Sequence, residues 1–166
     1  NWSPSGVPGP NDAVTIAPAA NVNVTAAANA AAISFSSLTI GSPSGAFSAH
    51  LTLSTTIAAG GSVRLNPNAG LTQGTTRQLF FSGDFTMVSG SSLTHAAESA
   101  VSVSSVNIRV TGTFDLQAGS TINVMGRGYR GGPFDTVGFG PGGGGTDIGH
   151  DEGGGGGGYG GAGGKG

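Results

Sequence analysis

Between Val14 and Val124 the large apolar residues come in short alternating pairs: Val14/Ile16, Val22/Val24, Ile33/Phe35, Leu38/Ile40, Leu51/Leu53, Val63/Leu65, Leu79/Phe81, Phe85/Met87, Val101/Val103, Ile108/Val110, Phe114/Leu116 and Ile122/Val124. A spacing of two puts both members of a pair on one side of an extended chain, so each pair predicts a strand with one apolar face. Gly, Ser, Asn and Ala clusters separate the pairs, and no window of about a dozen residues carries a sustained 3.6-residue stripe. Helix is therefore expected to be minimal. The tract AAANAAA (26–32) is the one ambiguous place: alanine favours a helical turn, but an isolated helix of seven residues is marginal.

The strands repeat. LFFSGDFTMVSGSSLTH (79–95) lies over IRVTGTFDLQAGSTINV (108–124) without a gap, matching Leu79 to Ile108, Phe81 to Val110, Gly83 to Gly112, Phe85 to Phe114, Met87 to Leu116, Gly90 to Gly119 and Leu93 to Ile122 at one constant offset. A weaker copy places Ile57 and Val63 at the spacing of Met87 and Leu93, and Ile16 and Val22 give a fourth, the step between copies lengthening towards the start of the chain. Short strands repeating at such a period cannot bury their apolar faces singly and do so by stacking. The expected fold is all-β: a β-solenoid, parallel β-helix-like, with rungs of about 29 residues. A β-sandwich is the alternative for alternating strands. In the aligned copies the outward residues are Thr15/Asn23, Thr56/Arg64, Thr86/Thr94 and Asp115/Asn123, which share polarity and not identity. An ice-binding surface would need a flat ladder of outward Thr, and this expected ladder is mixed.

Composition divides the chain. Of 34 glycines, 22 fall in residues 126–166, whereas residues 1–125 hold 31 of the 35 Leu, Ile, Val and Phe, enough for a core. This gives an entry segment 1–13, solenoid repeats 14–125 and a glycine-rich segment 126–166. For the last, a flexible linker and a packed array of polyglycine-type helices both fit. The linker is the default for Gly-rich sequence; four aromatics, Tyr129, Phe134, Phe139 and Tyr159, and the lack of Ser after Ser120 count against a plain one, and those aromatics are the candidates for self-association. Nucleotide binding finds no support, because no GK[ST] follows a strand and no βαβ context exists.

Charge excludes further classes. Five Arg and one Lys are scattered, with no basic stripe to neutralise a phosphate backbone, so nucleic acid is not an expected partner. No apolar stretch approaches the roughly 20 residues of a membrane-spanning helix. Without Cys there is no disulfide framework, Cys-zinc site or thiol chemistry. The chain opens at Asn1 without Met and stops inside a glycine tract, which suggests a trimmed or partial chain.

The opening NWSPSGVPGPNDAVTIAPAANVNV, with its Trp2, Val7-Pro8 turn, Asp12 and Val14-Thr15-Ile16 strand, resembles the start of secreted bacterial right-handed β-helix surface proteins, including autotransporter passenger regions and adhesins. SLTIG (37–41) and HLTLS (50–54) are similar to rung motifs of that group, and GRGYRGG with GGGGGGYGGAGGKG resembles the glycine-rich inserts that accompany such β-helices. The resemblance implies an extracellular or cell-surface scaffold or adhesin belonging to a longer protein, and carries no catalytic residue onto this chain.

Candidate chemistry is sparse. Trp2, ahead of Pro4, Pro8 and Pro10, is expected to cap the first rung, limiting edge-to-edge aggregation. Asp147, His150, Asp151 and Glu152 concentrate hard oxygen donors and an imidazole, a weak metal candidate beside the plainer reading of solvated charge. No cofactor is expected. His50, His95 and His150 lie in different segments, and Asp84 and Asp115 are the only carboxylates that stacking could bring near each other. Asn1-Trp2-Ser3 and Asn23-Val24-Thr25 match the N-glycosylation sequon. The expected function is a non-enzymatic extracellular scaffold or adhesive protein that self-associates, as a filament or surface-layer subunit. The alternative is a carbohydrate-binding or carbohydrate-active β-helix module, whose partner would be a surface polysaccharide.

Overall fold

The computed structural model describes residues 7–26, 32–97, 104–145, 154–158 and 164–165. Among them there is no helix, and the order is β1 (Ala13–Ile16), β2 (Val22–Ala26), β3 (Ile33–Ile40), β4 (Ala49–Leu53), β5 (Ile57–Leu65), β6 (Ala69–Gln73), β7 (Leu79–Phe81), β8 (Phe85–Met87), β9 (Ser92–His95), β10 (Ile108–Val110), β11 (Phe114–Leu116) and β12 (Thr121–Ile122). The Val101/Val103 pair and most of 26–32 lie outside the described residues; Ala26 ends β2.

Every pairing is parallel and skips at least one strand in sequence, so the chain coils. One face stacks β1-β3-β5-β8-β11 and a second stacks β2-β4-β6-β9-β12. The third stacks β7 and β10, and it continues towards the first rung through the opening residues of β3 and β5, where Ile33 pairs Ile57 and Phe35 pairs Gly60. This is a β-solenoid, not a sandwich. Alternation explains its interior, since the inward residue of each strand meets its counterpart one rung on. Val14, Leu38, Val63, Phe85 and Phe114 form one column, and Ile16, Ile40, Leu65, Met87 and Leu116 form the next. On the second face Val24, Leu51, Leu71, Leu93 and Ile122 stack likewise. Phe81 joins the first face's aromatics, with ring centroids 5.4 Å from Phe85, which stacks on Phe114 at 5.2 Å and 7°.

The corners also form ladders. Gly90 and Gly119 take positive φ, as does Asn68, and the N–H of Asn68 donates to Gly90 O while that of Gly90 donates to Gly119 O. Positive φ is cheap for Gly and tolerable for Asn, so the residue types at this corner follow from its geometry. Below it, the buried Asn66 donates through Nδ2 to Gly41 O at 2.9 Å, carrying the corner's bonding to the second rung.

Two details of the expected repeat change. The constant offset of the last two copies holds for β8 to β11 and for β7 to β10, but the earlier rungs are shorter. The steps from Val14 to Leu38, from Leu38 to Val63 and from Val63 to Phe85 each consume fewer residues than the step from Phe85 to Phe114. Val63 therefore stacks on Phe85 and not, as the weaker sequence copy had it, in the column of Leu93. The reason is β5. AAGG within it reads as a turn between two strands, yet the strand runs through, because Gly60 and Gly61 let it pass close against Phe81 and the Ser36 backbone, where a Cβ would collide.

The chain falls into two compact units: 1–95 with 105–123, which is the coil, and 96–104 with 124–166. In the second, described glycines hydrogen-bond backbone to backbone. The N–H of Gly138 donates to Gly144 O, that of Gly144 to Gly156 O and that of Gly156 to Gly164 O, each at 2.8 Å. A second relay runs from Gly142 through Gly158 and Phe139 to Arg130. A Cβ at Gly138, Gly143, Gly154 or Gly155 would strike a neighbouring backbone carbonyl, so this approach is open to glycine alone.

Candidate functional site: the three outer faces and the coil ends

The first face carries Arg64 and Asp115 on its strands, with Asp84 in the turn before β8, and both carboxylates accept hydrogen bonds within the coil. Asp84 accepts the Thr113 N–H on Oδ1 at 2.8 Å, tying one rung's turn to the next, and Asp115 accepts from Gln117 Nε2 at 2.9 Å. Asp115 pairs with Thr86 across the rungs, while the Asp84 turn faces that of Thr113, so the two carboxylates occupy different columns.

The second face departs from the mixed ladder expected of it. Its register aligns Thr25, Thr52, Thr72 and Thr94 in one outward column. Beside them run Asn23, His50, Gly70, Ser92 and Thr121. The column was hidden because the rungs differ in length, so a fixed offset compared the wrong threonines. The His50 ring lies over Gly70, which has no side chain to obstruct it, and its Nε2 stands 2.9 Å from Thr72 Oγ1. Asn23 and Thr25 of the second sequon are both exposed on this face.

The third face bears the coil's aromatic–cation pair. Phe80, 38% exposed, has the Arg109 guanidinium 5.5 Å from its ring centroid, and close by in sequence Gln78 Nε2 donates to Asn107 Oδ1 at 3.0 Å. A partly exposed aromatic ring beside an arginine offers an apolar surface and hydrogen-bond donors, groups that can contact a sugar. Sequence reasoning passed over Phe80 because it sits between the two inward residues of its strand; its outward position was the available signal.

His95 points inward, 6% exposed, stacked on the buried Gln73, itself stacked on Leu53. Gln73 donates to Arg77 O at 2.8 Å and accepts from the Asn107 N–H at 2.9 Å, so this corner is held by amide bonding where other rungs use aliphatics. Ser91 Oγ is buried and has no hydrogen-bond partner.

The ends of the coil contrast. On the last rung the inward residues Phe114, Leu116 and Ile122 are 41%, 48% and 45% exposed, whereas Phe85, Met87 and Leu93, one rung earlier, are at most 1% exposed. The first rung encloses an apolar hollow lined by Val14, Ile16, Val24, Ile33, Phe35 and Leu51, with others.

Of the aromatics in the glycine-rich unit, Phe134 is exposed, the half-buried Tyr129 has its ring against Gly140, and the half-buried Phe139 has its backbone in the second relay. Trp2, Tyr159, Asp147, His150, Asp151 and Glu152 lie outside the described residues. Among the described residues no group of three or more His, Cys, Asp or Glu side chains converges, and no helix is long and apolar enough to cross a membrane. Compared with family models, with curated proteins and with solved structures, the chain matches none.

Proposed function

We propose that this chain is a structural and adhesive scaffold of the extracellular space or cell surface that acts by self-association and performs no catalysis. The observation that carries the reading is the last rung, where three large inward side chains are partly exposed while their counterparts one rung earlier are buried, and where β11 and β12 end their sheets among the described residues. Unpaired strand edges beside apolar surface are templates for adding another chain. A net charge of -2 over 166 residues opposes such approach little. The structural bonding of Asp84 and Asp115 supports the non-enzymatic part. The surface location rests on the resemblance to secreted β-helix proteins. Electron microscopy and sedimentation of the purified protein test the reading: regular assemblies that grow with concentration are expected, and a monomer at all concentrations overturns it.

A second reading has its own observation. Phe80 with Arg109, Gln78 and Asn107 supports a surface polysaccharide as ligand. Calorimetric titration against a saccharide panel tests it, with heat of binding expected from the native protein and lost in Phe80→Ala.

A further inference from the structure

The coil's two ends carry the same columns of inward residues. The last rung offers Phe114, Leu116 and Ile122, partly exposed, and β11 and β12 are the final strands of their sheets among the described residues. The first rung offers β1 and β2, the opposite edges of the same two sheets, around an apolar hollow. The hollow has a sequence cause. Val14 and Val24 fill the first-rung places that Phe85 and Leu93 fill in the fourth, and smaller side chains leave the space between them partly empty.

We propose that the last rung docks on the first rung of a second copy, head to tail and in register, so that the parallel sheets continue from one molecule into the next. This rests on the self-association reading and specifies its contact. The occupant is a second copy because the columns match position by position. Continuing the register places Phe114 on Val14, Leu116 on Ile16 and Ile122 on Val24, each pair apolar. Outside, Asp115 meets Thr15 and Thr121 meets Asn23, so no like charges face each other. Phe114 ends a stack with Phe85 and Phe81, and the hollow receives its free side. The joint unites two different surfaces, so it does not close on itself and gives an open filament.

The test is a chain terminator. In the double variant Leu116→Asp/Ile122→Asp both positions are exposed, so the coil keeps its strand signal in circular dichroism, which is measured first. Two carboxylates buried without partners weaken a joint by more than about a hundredfold. The variant is expected to sediment as a monomer. Mixed with the wild type it is expected to shorten the wild-type assemblies, because its intact first rung still occupies their last rungs while its own last rung accepts nothing. A variant that assembles like the wild type overturns this contact and leaves self-association standing. So does a monomeric variant that leaves wild-type assemblies unchanged, the outcome for a last-rung-to-last-rung joint or for a hollow filled from within the same chain. A wild type that is monomeric throughout overturns both readings.

Discussion

Gly70 and His50 offer a test of whether the outer surface of the coil is packed or merely lined. A methyl group at Gly70 runs into the His50 ring, which lies over it and reaches Thr72 at 2.9 Å. The ring is a side chain and can swing away, so Gly70→Ala should expel it and lose its hydrogen bond and its packing, together about 1.5 kcal/mol. With His50→Ala already in place the atoms nearest that methyl are gone, and replacing Gly within a strand should then show its gain of about 0.5 kcal/mol through the stiffer unfolded chain. That gain is common to both backgrounds and cancels, so the two should differ by about 1.5 kcal/mol, the lost His50 interactions, well beyond the roughly 0.5 kcal/mol within which independent sites add. Urea unfolding followed by circular dichroism, on the wild type, both single variants and the double variant, measures the coupling. Equal costs in the two backgrounds would refute the reasoning. Gly61→Ala is the contrasting case, since its methyl meets the Ser36 backbone carbonyl, which no side-chain substitution removes.

Leu71→Ala, in the middle of its column and fully buried, should cost about 3 kcal/mol in the same urea experiment, whereas Leu116→Ala on the exposed last rung should cost under about 1 kcal/mol. Asp84→Ala should lose about 1 kcal/mol with the Thr113 hydrogen bond, and Asp84→Asn, which keeps an acceptor, less than half of that. In the glycine-rich unit, Gly138→Ala or Gly155→Ala should abolish hydrogen-exchange protection of the Gly144 and Gly156 amides, while Gly128→Ala, with open space around it, should leave it intact.

Much of the coil is legible in its residues, and particular strands show where legibility ends. The pairs Phe85/Met87 and Phe114/Leu116 predict both strands and stacking, because consecutive rungs of equal length make a fixed offset meaningful. Where rungs shorten, the offset fails: Thr52 and Thr72 lie closer in sequence than Phe85 and Phe114 do, and still stack. Strand alternation is a local property, whereas register depends on how many residues each corner consumes, and small-residue corners leave that number open. The third face was the least visible. Phe80 looks like one member of a core cluster LFF until the direction of Leu79 and Phe81 fixes it outward. The glycine-rich unit was ambiguous for another reason: without side chains its order resides in backbone bonds between distant segments, and no residue periodicity encodes them.

The unequal rungs also make the coil a ruler. Each step along the first face rises by about 4.8 Å, the spacing of hydrogen-bonded strands, so its four steps climb about 19 Å. The steps from Val14 to Leu38 and from Val63 to Phe85 spend fewer residues than the step from Phe85 to Phe114, for the same gain in height. Height counts turns of chain and ignores how much is spent at a corner. Between β9 and β10 the chain spends more residues than between β6 and β7, and both strands still keep their places on their faces. A corner of this kind can carry an inserted peptide outward without altering the pitch of the rod.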